Sequence, residues 1–416
     1  MKKLINIIKL VAINIVIFVL LLEIISLVIY FFNHKAFFYA HDRKAVEALE
    51  SAEDRQLTAK RFHPFFGYTF KPRSTKNNNY GFNSPYDYLF KKEKAEQYII
   101  AIFGGSVAED FYTLGRERLT EKLAEHPFFA NKEIIYLNFA MGGYKQPQQV
   151  QILSYFLSIG QHLDLAINID GFNEVIFCSN NNRLNVDIGM PSAQHFLPMR
   201  DLVDSSAVTG EKLEYIWEIQ GLKKKYKGVK DRVDNTFFAS VHLIWSSYQK
   251  YLYKEYRSQI VAFDALYKPG DSKESIINIK YTPTTREEPV LLANVASLWY
   301  RSSLNMHSLM DGVGGRYFHF LQPNQYYAHK PFSEEEKKDA INNELAYNFL
   351  TKKGYPVLHQ ALEELKKKGV NAEGATGIFD SVKETVYIDA CCHFNELGNE
   401  IFADFIAAQI KEELNN

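Results

Sequence analysis

Tyr98-Ile99-Ile100-Ala101-Ile102-Phe103-Gly104-Gly105-Ser106-Val107-Ala108 is a β-branched, apolar run that ends in two glycines and a serine. A strand buried on both faces of a parallel sheet reads as such a continuous apolar segment, without alternation. Gly104 and Gly105 carry no Cβ, so the backbone there can turn sharply and come close to a bound molecule. Two further short apolar runs, Ile134–Asn138 and Leu165–Ile169, exit into glycine- and asparagine-bearing segments, Asn138–Gly143 and Asp170–Asn173. Helical stretches around Thr113–His126 and Gln148–Gly160 separate the three runs. Strand and helix in alternation predict an α/β chain with a doubly wound parallel sheet, ligands binding at the strand C-termini.

The residue types at these exits suit acyl chemistry. Ser106 would supply a hydroxyl nucleophile at the end of the first strand. Far downstream, Asp389-Ala-Cys-Cys-His393 offers a base with a carboxylate to orient it. The Asn138–Gly143 and Asp170–Asn173 exits fit an oxyanion site. Each residue also has a plainer reading. Serine is a favoured helix N-cap, and glycine and asparagine are favoured wherever a strand turns. Glu174 fits a helix-start carboxylate favoured by the dipole. His319, alternating with apolar residues in Tyr317–Leu321, reads as core; Gln322 and Asn324 at the end of that run are weaker candidates for contact with substrate.

The four blocks, in this order, resemble those of the SGNH (GDSL-like) hydrolase superfamily: Gly-Gly-Ser106, Asn138-Phe-Ala-Met-Gly-Gly143, Asp170-Gly-Phe-Asn173-Glu174, and Asp389 with His393. The resemblance covers roughly residues 96–178 and 310–415. It departs from the family pattern in three places: Gly-Gly-Ser stands for Gly-Asp-Ser, Glu174 stands where Asp is commoner, and three residues rather than two separate Asp389 from His393. The resemblance implies a flavodoxin-like three-layer α/β/α fold with Ser106 as nucleophile, His393 as base and Asp389 as its orienter. It implies an oxyanion hole from the Gly143 backbone N–H and the Asn173 amide, with Gly142 competing for the first role. No cofactor and no metal are expected. An α/β-hydrolase elbow fits less well, because Ala108 stands where that motif has its last glycine and Asp and His share one loop.

The 416 residues carry a formal net charge of −1, so no global field favours nucleic acid. Residues 4–32 form an apolar segment long enough to cross a bilayer, interrupted by Glu23. No small-residue cleavage signature follows it, which predicts an uncleaved, single-pass signal anchor over residues 1–33. Lys2, Lys3 and Lys9 on a short N-tail predict a cytoplasmic N-terminus, an inner-membrane location and a periplasmic or extracellular remainder. The three cysteines are too few for a disulfide framework. Cys178 follows the Asn block and Cys391 and Cys392 lie in the His loop, so one bridge between those regions is expected, with a vicinal bridge or free thiols as alternatives.

Residues 34–95 read as a linker and irregular N-terminal layer, and residues 96–416 as the hydrolase domain. Within it, about 211–267 form a helical insertion: helices Leu213–Lys227 and Phe237–Tyr267 broken near Gly228, then a loop Pro269–Pro289. The rest is expected as helix Val290–Asp311, strand Tyr317–Leu321, helices Pro331–Lys353 and Tyr355–Lys368, strand Thr385–Ile388 and helix Asn395–Leu414. Anchor and resemblance together suggest an esterase acting on an O-acylated cell-surface glycan or a related ester. The alternatives are an O-acyltransferase for an envelope polysaccharide and a catalytically idle glycan-binding or scaffold domain. The sequence names no protein partner.

Overall fold

The computed structural model describes residues 2–40, 60–74, 76–197, 209–266 and 286–415. In chain order its elements begin with α1 (Lys2–His34), β1 (Lys60–His63), β2 (Gly67–Phe70) and β3 (Gln97–Gly104). Then α2 (Ser106–Asp110) runs through a π-helical turn (Phe111–Gly115) into α3 (Arg116–Ala124), followed by β4 (Glu133–Asn138), α4 (Gln148–Ser158), β5 (Leu165–Asp170) and α5 (Phe172–Arg183). The remainder is α6 (Gly210–Asn235), α7 (Ala239–Ala265), α8 (Glu288–Gly312), β6 (Arg316–Leu321), α9 (Glu334–Asp339), α10 (Ala346–Lys367), β7 (Asn371–Gly374) and α11 (Glu396–Asn415). Two compact units result: Met1–Thr58 with Ser206–Lys268, and Ala59–Ser205 with Pro269–Asn416.

The larger unit is a three-layer α/β/α structure around a five-stranded, all-parallel sheet in the order β4-β3-β5-β6-β7. Helices α3 and α11 pack together as one layer; α4, α5, α8 and α10 pack together as the other. β3 and β5 are buried along their whole length, as suits their mainly apolar runs, in which Asn168 is the one polar residue inside β5. The strand order is flavodoxin-like. After β3 the chain goes to one side for β4 and to the other for β5, and this reversal opens a crevice at the strand C-termini. Ser106 follows β3, Gly142 and Gly143 follow β4, and Asn173 follows β5, so the topology brings all three exits to the crevice. The segment before β3 contributes an antiparallel hairpin, β1 with β2, whose Gly67–Phe70 strand is fully buried.

Several elements differ from the sequence reading for definable reasons. The helix expected at Thr113–His126 starts already at Ser106. Gly228 does not break the insertion: α6 runs through it, because Val229 and Val233 pack on Leu252 of α7, and the break falls at Thr236, which is extended. The break expected between Lys353 and Tyr355 is also absent. α10 continues through Gly354 and Pro356, held by buried Tyr355, Leu358, Leu362 and Leu365, and the true interruption lies before Ala346. Thr385–Ile388 is not a strand of the sheet. The amides of Val386 and Tyr387 donate to Glu336 Oε1 at 2.9 and 3.0 Å, and the segment makes only an isolated antiparallel bridge, Tyr387 with Phe394. The fifth strand is instead Asn371–Gly374, a short polar edge segment. Most of the loop read at Pro269–Pro289, and residues 41–59 of the linker, lie outside the described residues.

The smaller unit holds α1, α6 and α7. Asn6–His34 is long and apolar enough to span a membrane, and its side chains are largely exposed. The one carboxylate in that run is fully partnered. Glu23 Oε1 accepts from the Ala239 amide at 2.6 Å, and Oε2 from the Ser240 amide at 3.0 Å and the Ser240 hydroxyl at 2.6 Å. Glu23 therefore caps the N-terminus of α7 from another helix, where the exposed amides and the helix dipole both favour an anion. Tyr30, Phe38 and Ala239 close an apolar cluster beside it. Glu23→Ala should remove about 1 kcal/mol of cap stabilisation. Exchange of the Ala239 and Ser240 amides against deuterium should then accelerate by about fivefold; unchanged exchange would contradict the capping role.

Candidate active site

Ser106 is the first residue of α2, and both glycines before it are required by contact. Gly104 has φ +141°, and a Cβ there would lie 2.0 Å from the Ile169 carbonyl oxygen. A Cβ on Gly105 would lie 2.1 Å from Asn173 Nδ2. Only a backbone stripped of side chains lets β3 turn directly into α2 against β5 and the Asn173 amide.

His393 Nε2 stands 2.7 Å from Ser106 Oγ, and His393 Nδ1 stands 2.5 Å from Asp389 Oδ2. The loop that carries this pair is held from both sides. Asp389 Oδ1 accepts the amides of Cys391, Cys392 and His393 at 2.9, 3.1 and 3.3 Å. The carbonyls of Asp389, Ala390 and Cys391 accept from Gln325 Nε2, the Tyr326 hydroxyl and Asn324 Nδ2 at 2.9, 2.7 and 3.3 Å. The extra residue between Asp389 and His393 is thus accommodated in a carboxylate-centred turn that still aims the second oxygen at the imidazole. Asn324 acts on this loop, and Gln322 is buried in the same stretch. Burial pulls the His393 pKa down, but the hydrogen bond and charge of Asp389 outweigh it and raise it to about 9. Asp389 is itself held below its usual value: burial would raise it, and the His393 and loop-amide hydrogen bonds override that.

Asn173 is buried and its Nδ2 donates one proton to the Tyr144 carbonyl at 2.8 Å, which fixes the amide plane beside Gly105. The two candidate glycines separate. The Gly142 N–H donates to Glu109 Oε2 at 3.0 Å and is taken. The Gly142 carbonyl accepts from the Tyr68 hydroxyl at 3.0 Å. In a trans peptide the next N–H points opposite to that carbonyl, so the Gly143 N–H faces away from Tyr68, and it meets no acceptor among the described residues. Gly143 has φ +84°, and a Cβ there would sit 2.4 Å from the His195 ring. A Cβ on Gly142 would stand 3.9 Å from both Ser106 Cβ and Glu109 Oε2, so this peptide lies beside the serine.

Glu109 and Tyr68 escaped the sequence reading. Glu109 lies three residues after Ser106, hence on the same helix face, which was a usable signal; Tyr68 lies in a segment read as irregular. Burial first, then the nearby Asp110 charge, raises Glu109 to about 7 against the pull of the Gly142 amide, Lys60 and His393. Lys60 is lowered by burial to about 8. Behind the site, Asp170 is a core anchor. Its Oδ1 meets Trp299 Nε1 at 2.6 Å and His319 Nε2 at 2.7 Å, and His319 is fully buried. Glu174 does more than begin a helix: it accepts the Gln146 and Gly171 amides, both at 2.7 Å, tying the β4 exit to the β5 exit.

The expected bridge from Cys178 is not formed. All three cysteines are free thiols. Cys178 donates to the Ile188 carbonyl at 3.4 Å and packs with Leu291 and Val295. Five residues beyond Asn173 on an α-helix is about 140° round the axis and ~7.5 Å along it, so α5 carries the thiol off the face that Asn173 shares with the site. Cys391 Sγ and Cys392 Sγ lie 3.5 Å apart, in thiol–thiol hydrogen-bond contact and not joined as a disulfide. With a His393 nitrogen they form a group whose donor atoms lie within 4.8 Å of one another, but both imidazole nitrogens already face Ser106 and Asp389.

No protein-family model matches the chain, and no curated protein matches it. Among solved structures, it is similar to the crystal structure of the lipase Lip_vut3 from goat rumen metagenome, at 10% identity over 75% of this chain and 97% of that one. The TM-score is 0.35.

Glu109→Ala should leave the half-buried Gly142 amide without its acceptor, a loss of about 1–3 kcal/mol. Deuterium exchange at Gly142 should accelerate by about 5- to 150-fold, and Glu109→Gln, which keeps an acceptor oxygen, should restore most of the protection. Equal exchange in all three proteins would remove Glu109 from this role.

Proposed function

We propose that this chain is a membrane-anchored serine esterase of SGNH type that forms an acyl-enzyme on Ser106. The observation that carries the reading is the relay Ser106 Oγ–His393 Nε2 at 2.7 Å and His393 Nδ1–Asp389 Oδ2 at 2.5 Å, within the reach that proton transfer needs. With its proton on Nδ1 toward Asp389, His393 accepts the Ser106 proton at Nε2 as Oγ attacks an ester carbonyl. Negative charge develops on the carbonyl oxygen, and the Gly143 N–H and the second Asn173 amide proton are the donors for it. The imidazolium then returns the proton to the departing alcohol. Water, activated by the same imidazole, hydrolyses the acyl-enzyme. Each oxyanion donor is worth on the order of 10²–10³ in kcat.

The anchor and the short basic N-tail support a periplasmic or extracellular catalytic unit, and an O-acylated cell-surface glycan as the ester. Product analysis with an added sugar acceptor separates hydrolysis from acyl transfer to that sugar. Release of free acid, with no acylated sugar, is expected.

The acid limb of kcat/KM reports the free enzyme's base. His393 must be neutral to act, and Asp389 raises its pKa to about 9. Hydrolysis of a p-nitrophenyl ester should therefore rise with pH through neutrality toward about pH 9. Ser106→Ala should abolish it. Asp389→Asn removes the charge that holds the proton on His393. Its acid limb should move to lower pH while its plateau falls on the order of 10³–10⁴-fold. An unshifted limb in Asp389→Asn would break the assignment of Asp389.

A further inference from the structure

The loop that presents His393 also holds two adjacent thiols that the relay does not use. We infer that Cys391 and Cys392 are a redox modification site, a vicinal dithiol whose oxidation to a disulfide withdraws His393 from Ser106; this regulation rests on the esterase reading of the same site. The geometry has three parts. The two sulfur atoms already lie 3.5 Å apart. Cys391 is partly exposed to a reagent while Cys392 is buried behind it, the arrangement of an attacking and a resolving thiol. Cys178 is buried in a separate apolar cluster with Ile188 and Leu291 and packs on neither of them.

The oxidant is a small-molecule disulfide. The Cys391 thiolate attacks one of its sulfurs, forming a mixed disulfide and releasing one thiolate, which takes up the Cys391 proton. The Cys392 thiolate then attacks Cys391 Sγ, forming the Cys391–Cys392 bond and releasing the second small thiol with the Cys392 proton. Two cysteine thiols lose two electrons in total and one disulfide becomes two thiols.

Closure has a mechanical consequence. A disulfide needs its sulfurs about 2.05 Å apart and its Cα atoms usually 4.4–6.8 Å apart, whereas neighbours across a trans peptide are held at about 3.8 Å. The ring can close only by twisting the Cys391–Cys392 peptide. That peptide carries the Cys392 amide bonded to Asp389 Oδ1 at 3.1 Å and the Cys391 carbonyl bonded to Asn324 Nδ2 at 3.3 Å. The same Asp389 oxygen also accepts the His393 amide at 3.3 Å, so the twist is transmitted to the base and its orienter together. A strained vicinal bridge is also readily reduced, which suits a reversible switch.

The test uses the full-length protein in detergent, equilibrated with oxidised or reduced glutathione. Intact mass and peptide mapping read the bridge, and p-nitrophenyl ester hydrolysis reads the site. A Cys391–Cys392 linked peptide, with hydrolysis lower by about 100-fold or more, the scale of a lost general base, and full recovery on reduction, is the expected result. Cys391→Ser should make hydrolysis indifferent to oxidised glutathione, and Cys392→Ser should stop at the Cys391 mixed disulfide with no linked peptide. Three free thiols after oxidation, a stable glutathione adduct in place of the bridge, or a bridged protein that hydrolyses at the reduced rate would each overturn the inference. If the reduced protein does not hydrolyse esters at all, the esterase reading fails instead, and the peptide map still reports whether the bridge forms.

Discussion

One carboxylate organises the geometry of the candidate site. Asp389 uses Oδ1 to gather three consecutive amides and Oδ2 to hold His393 Nδ1. The first set of bonds shapes the turn; the second fixes the tautomer and direction of the ring. Neither would suffice alone. Without the turn, a spacing of three residues between Asp and His would leave the carboxylate free to point elsewhere. Without the ring contact, His393 would lose the partner that outweighs its burial and keeps its proton on the nitrogen away from Ser106. Gln325, Tyr326 and Asn324 hold the opposite edge of the same turn, so the His393 ring is positioned by the β6 exit as well as by its own loop.

The serine side is organised by close approach. Two glycines let β3 enter α2 against the Ile169 carbonyl and the Asn173 amide, and Tyr68 and Glu109 hold Gly142 through its carbonyl and its N–H, on the two peptides that flank it. Buried Asp170 and Glu174 tie the β4, β5 and β6 exits into one polar scaffold behind the site. A preformed arrangement of this kind needs little reorganisation when charge develops, which is where most electrostatic stabilisation in catalysis comes from.

Much of this was legible in the sequence because it is local. Short, mainly apolar runs mark β3, β4, β5 and β6, and Ser106 and Asn173 sit just past the ends of β3 and β5, where the topology puts the crevice. What was not legible depends on partners distant in the chain. Thr385–Ile388 has the composition of a strand, yet its two central amides are claimed by buried Glu336. Asn371–Gly374 has no apolar run and becomes a strand only because the edge of β6 is free to pair. Gly228 and Gly354 look like breaks, but packing along α6 and α10 outweighs their local cost. The Cys178 expectation placed a helical residue by its distance in sequence from Asn173 and ignored the rotation that five residues impose.

The central claim is that Ser106, activated by His393, is the nucleophile of the site. The most direct measurement is to treat the full-length protein with a fluorophosphonate and locate the adduct by peptide mass spectrometry. A single adduct on Ser106, absent when His393 is replaced by alanine, is the result this account predicts. An adduct on any other residue, or none on a folded protein, would contradict it.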